Sequence, residues 1–115
     1  MSAEPSIPAV TVDQARALVA EDAVFMDVRE EEEWDAGHAM HSVHASFHEL
    51  ADTVGHTTRT RRVVVVSRSG VRAEEAVRRL RTAGIDAVLL DGGLIAWQAA
   101  GGELVATGGG PACLL

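Results

Sequence analysis

Val63-Val64-Val65-Val66-Ser67-Arg68-Ser69-Gly70-Val71-Arg72 decides the fold of this chain. Four consecutive β-branched residues suit a strand buried on both faces, as in a parallel sheet. Ser67 to Gly70 break that run. From Val71 to Ala83, Ala73, Ala76, Val77 and Leu80 recur at helical spacing with Arg78, Arg79 and Arg81 outward, and Gly84 ends the helix. Asp86 to Leu90 reads as the next strand, and Asp91-Gly92-Gly93 turns into a short helix holding Trp97.

Upstream, Gln14 to Ala20 reads as a helix capped by Thr11 or Asp13. Ala23 to Val28 is a buried strand, and Glu30 to Ala36 a short helix stopped by Gly37. Ser42 to Ala45 fits a short strand, with Ser46 capping a helix through about Val54. Alternating strands and helices predict one α/β domain across residues 1–115, with a largely parallel sheet and right-handed crossovers.

The loop Ser67-Arg72 lies where such a sheet places its ligands, at the carboxyl ends of the strands. A tight entry into a helix N-terminus gathers backbone N–H groups and positive dipole charge. Gly70 permits a backbone conformation closed to bulkier residues. Arg68 and Arg72 add full charge, so Ser67, Arg68, Ser69, Gly70, Val71 and Arg72 describe a cradle for a small anion. They also describe an ordinary strand-to-helix turn with solvated arginines, and the loop alone leaves both readings open.

Three signatures in order remove that ambiguity. Asp27-Val28-Arg29, Glu33-Trp34 and Gly37-His38 resemble the first signature of the rhodanese family, and Asp91-Gly92-Gly93 with Trp97 is similar to its closing one. Between them, Ser67 to Arg72 matches the family's active loop, Cys-x4-Arg, everywhere except its first position. The resemblance runs from about Val10 to Gly102, leaving 103–115 as a tail. It implies a three-layer α/β fold, with a mostly parallel sheet of about five short strands and helices on both faces. It also implies a site that handles a thiosulfate-like sulfur oxyanion or a protein sulfur acceptor. Four residues between Ser67 and Arg72 make the loop of sulfurtransferase length, one shorter than in the related phosphatases. A second departure is His41-Ser42, where the family usually keeps a small Gly-Ala pair.

In the family's enzymes the loop cysteine takes a sulfane sulfur and carries it as a persulfide. Serine stores no persulfide and is a poor nucleophile without a base. The resemblance therefore implies catalytic positions at Ser67 and Arg72 but no sulfur transfer by the chain as it stands. The alternative is a thiosulfate or persulfide sulfurtransferase, active in its natural form, whose catalytic cysteine has been mutated to serine at position 67. A serine hydrolase lacks support, because nothing aims His38, His41, His44, His48 or His56 at Ser67. Those histidines cross a strand and a helix, so no metal site or cofactor is expected. Asp27 and Arg29 read as anchors of a strand-end turn, with Arg29 able to pair with Glu33 and Asp27 able to support the loop. His38 reads as structural, and Trp34 and Trp97 as packing.

Composition bounds the rest. At 47% hydrophobic and 3% aromatic, the core is aliphatic. The net charge of -7 argues against non-specific nucleic-acid binding. It is uneven: residues 1–58 hold twelve acids against Arg16 and Arg29, and 59–115 hold eight arginines against five acids, a pattern that reads first as a compositional preference for arginine and leaves open a local positive field around 59–81. No apolar run approaches the ~18 residues of a membrane span. The segment Met1 to Pro5 lacks signal-peptide features, which makes the cytoplasm the expected location. Cys113 is the only cysteine, excluding an intrachain disulfide, and it reads as a bystander in a loose tail.

Overall fold

The computed structural model describes residues 7–50 and 61–115. In chain order the elements are β1 (Ala9–Val10), α1 (Val12–Ala20), β2 (Val24–Asp27), α2 (Glu31–Ala36), β3 (His38–Ala39) and β4 (Val43–His44). A 3-10 turn (Phe47–Glu49) follows, then β5 (Val63–Val66), α3 (Val71–Thr82), β6 (Ala87–Leu90), α4 (Gly93–Ala99) and β7 (Leu104–Val105). Five strands form one sheet in the order β1-β6-β5-β2-β4, and every pairing in it is parallel.

The valine run explains the layers. Successive strand residues point to opposite faces. Val63 and Val65 meet Ala73, Ala76, Val77 and Leu80 of α3 on one side. Val64 and Val66 meet Ala15 of α1 and Leu94 of α4 on the other. All four valines are fully buried, as the strand reading required. This is the three-layer α/β arrangement implied by the sequence, and none of the helices among the described residues is long and apolar enough to cross a membrane.

Local chemistry sets the boundaries. Thr11 caps α1, its hydroxyl accepting from Gln14 N–H at 3.1 Å while Gln14 Oε1 accepts from Thr11 N–H at 2.9 Å. Asp13 lies in the first turn and is not the cap. Ser46 does not cap a helix through its side chain: its hydroxyl donates to Glu49 Oε1 at 2.7 Å, and a single 3-10 turn follows. The rest of the helix expected through Val54 lies outside the described residues, as does His56.

The segment after Gly102 is tied down, contrary to the loose tail read from its glycines. β7 pairs antiparallel with β3, Thr107 N–H donates to Asp35 O at 3.0 Å, and Cys113 N–H donates to Ala36 O at 2.9 Å. The last carbonyls of a helix have no partners within it, and here the returning chain supplies the donors for α2. Leu114 packs against the α1/α4 side of the core, while Cys113 stays exposed.

Candidate anion-binding loop

Ser67 follows the last residue of β5 and is almost wholly buried, at 2% exposed. Its Oγ accepts two backbone hydrogen bonds, from Gly70 N–H at 3.1 Å and Ala73 N–H at 3.2 Å. The hydroxyl thus sits on the positive end of α3. Gly70, the residue before that helix, adopts φ +112°, a left-handed conformation that side chains disfavour. The N–H groups of Arg68, Ser69, Val71 and Arg72 have no hydrogen-bond partner among the described residues. Unpaired donors at a helix N-terminus are the raw material of an anion site.

A second helix holds the loop from behind. Leu94 and Ile95 N–H of α4 donate to the carbonyls of Ser67 and Arg68, at 2.9 and 3.1 Å. The approach is so close that a Cβ on Gly93 would lie 2.5 Å from both carbonyl oxygens. This support was not read from the sequence, although Gly92-Gly93 was its signal.

Asp27 and Arg29 stand beside the loop, since Asp27 is in register with Val66. Both are fully buried. The Asp27 carboxylate accepts from Arg29 N–H at 3.0 Å, from Nε at 3.0 and 3.1 Å, and from Nη2 at 2.8 Å. Arg29 Nη2 also donates to Gly37 O at 2.6 Å. The expected Arg29–Glu33 pair does not form. Arg29 sits in a bend before the extended residue Glu30 that precedes the helix, so helical i,i+4 geometry never applies to it.

Glu33 instead reaches the loop. Its Oε2 accepts from Arg72 Nη2 at 2.8 Å, while its Oε1 accepts from Glu30 N–H at 3.1 Å. The Arg72 hydrogen bond holds the Glu33 carboxyl below the usual glutamate range, against an opposing push from burial. Glu33 in turn raises the Arg72 value.

The positive field left open around 59–81 is largely compensated among the described residues. Arg61 pairs with Asp22, Arg62 with Asp86, Arg78 with Glu74, Arg79 with Glu75 and Arg81 with Asp86. Among the described arginines only the exposed Arg68 has a side chain without a hydrogen-bond or ion-pair partner.

His38 is not aimed at the loop: it stacks on Trp34 with centroids 3.6 Å apart, and its Nδ1 lies 2.8 Å from Trp34 O. His44 stacks nearby at 5.1 Å and bonds Arg29 O at 2.6 Å. His41 takes φ +66° in the turn between β3 and β4, beside Ser42, whose hydroxyl donates to Ala39 O at 2.6 Å. Trp97 meets Phe25 edge-to-face at 5.2 Å. No group of three or more His, Cys, Asp or Glu among the described residues is placed to hold a metal.

Comparison with known proteins accords with this architecture. The Rhodanese-like domain family profile matches residues 11–100. A thiosulfate sulfurtransferase GlpE of Pseudomonas savastanoi pv. phaseolicola is 33% identical over 88 residues, covering 76% of this chain and 83% of that protein. An HTH-type transcriptional regulator, Rv0324 of Mycobacterium tuberculosis, is 37% identical over 88 residues; this covers 75% of the chain but only 39% of the regulator. Among solved structures, a rhodanese-like domain protein from Staphylococcus aureus superposes with a TM-score of 0.74 at 27% identity, covering 84% of this chain and 97% of that one. The BH2092 protein of Bacillus halodurans reaches 0.81 at 18% identity, covering 94% and 83%. The chain belongs to the rhodanese-like domain family.

Proposed function

We propose that this chain is an anion-binding rhodanese-like module that carries out no sulfur transfer. The observation behind the reading is Ser67 itself. A buried hydroxyl receives two N–H groups at the head of α3, in the position where the family's enzymes carry a thiolate. The surrounding N–H groups and Arg68 favour a small oxyanion such as thiosulfate or sulfate, with Arg72, at the end of the loop, already paired with Glu33. A hydroxyl there supplies neither the soft nucleophile nor the acidity that persulfide formation needs. Likeness to a transcriptional regulator suits a module that binds as well as one that turns over.

The 33% identity to a thiosulfate sulfurtransferase supports a second reading, in which Ser67 stands in for the catalytic cysteine of an active enzyme. Both readings require the same cradle. A sulfate titration at constant ionic strength tests it. Amide NMR shifts are expected to concentrate on residues 68–73, and Arg68→Ala to weaken binding by about 1 kcal/mol, as suits an exposed charge-assisted contact. Shifts spread evenly over all the arginines would indicate general screening and overturn the cradle.

A further inference from the structure

Arg72 carries the charge that the loop's final position implies, yet a carboxylate from another element already occupies it. The bridge is built. Glu33 Oε1 is held by Glu30 N–H within the first turn of α2, which leaves Oε2 fixed toward Arg72. The pair is only partly exposed, with side chains 21% and 39% accessible for Glu33 and Arg72. The other charged groups around it are Glu30, Arg29 and Asp27, and Arg29 is already neutralised by Asp27. Arg68 therefore remains the loop's one uncompensated cation.

We infer that Glu33 is an internal counter-anion of the loop, competing with the bound oxyanion for Arg72 and keeping its affinity low. This rests on the anion-binding reading above. A carboxylate and an oxyanion make the same charge-assisted contacts with a guanidinium, so one contact is given up as the other forms. Two properties follow from the geometry. The loop meets its ligand with close to one net positive charge, and affinity rises when Glu33 is neutralised. The lowered Glu33 pKa fixes the sign: the carboxylate is charged and competes above that value, and competition fades as pH falls through it, below the usual glutamate range.

Sulfate binding to the unaltered chain and to Glu33→Gln, followed by amide NMR, tests the inference. Glutamine keeps an oxygen for Glu30 N–H but turns an amide NH2 toward Arg72, so the charge and the competing acceptor are removed together. Affinity is expected to rise about two- to fivefold, the worth of one half-exposed ion pair. Adding Arg72→Ala should abolish that gain, whereas a purely structural role for Glu33 predicts weaker binding in both variants. The gap between the unaltered chain and Glu33→Gln should close in acid. A comparison needing no Glu33 variant is the unaltered chain against Arg72→Ala, whose affinity ratio should widen on acidification. Unchanged or weaker binding in a folded Glu33→Gln protein, or a ratio independent of pH, overturns the inference while leaving the cradle standing. Absence of localised shifts in every form overturns the anion reading, and this inference with it.

Discussion

Ser67→Cys is expected to convert thiosulfate and cyanide to thiocyanate and sulfite, the cysteine carrying the sulfane sulfur between them, at about a hundredfold or more above the unaltered chain. That is well short of the ~10⁶ loss seen when a covalent nucleophile is deleted from a tuned protease. The loop otherwise has what the reaction asks of it. The two N–H groups on Ser67 Oγ lie at 3.1 and 3.2 Å, on the long side for an oxygen acceptor, which suits the larger sulfur atom. Those donors and the helix dipole would lower the new thiol below the ordinary ~8.5 and hold the thiolate. Backbone bonds from α4 to the Ser67 and Arg68 carbonyls keep the loop in place through the exchange. The thiocyanate assay is read together with circular dichroism, to establish that the variant is folded. Silence in a folded cysteine form would mean that the pocket departs from the enzymes at another position, with the His41-Ser42 turn the first place to look.

Asp27→Asn should be the most damaging single substitution in the buried network, at about 3–5 kcal/mol. Its carboxylate accepts from Arg29 N–H, Nε and Nη2, and neither residue is exposed. Removing the negative charge leaves a buried guanidinium without a counter-charge, with only the asparagine oxygen and Gly37 O to accept from it among the described residues. Total stability of a domain this size is about 5–15 kcal/mol, so such a loss is a large part of it and lowers Tm by roughly 10–20 °C. Replacing both residues by apolar ones of similar volume should restore much of the loss, because it removes both desolvation costs together. Chemical denaturation of the single and double variants measures this, and a single-variant loss below about 1 kcal/mol would show that the pair is not desolvated.

Those elements that announce themselves by periodicity were legible in the sequence. Val63 to Val66 and the Ala73–Leu80 stripe of α3 fixed the sheet direction and the loop at its carboxyl edge. Contacts chosen by tertiary geometry were not legible. Glu33 had Arg29 as its sequence neighbour but meets Arg72, 39 residues away, because the turn after β2 folds Arg29 back onto Asp27. Two-residue strands such as β3 and β7 carry no alternating signal, so the tie between the C-terminal segment and α2 left no pattern to read. Gly93 showed as a turn residue, and only the fold revealed that its missing Cβ admits the loop carbonyls.

The claim that this loop binds without carrying sulfur is tested most directly by the intact mass of the unaltered chain after incubation with thiosulfate. An unchanged mass is expected, with Ser67 and the exposed Cys113 both unmodified. A stable gain of one sulfur atom, mapped by peptide fragmentation to the loop Ser67–Arg72, would contradict it.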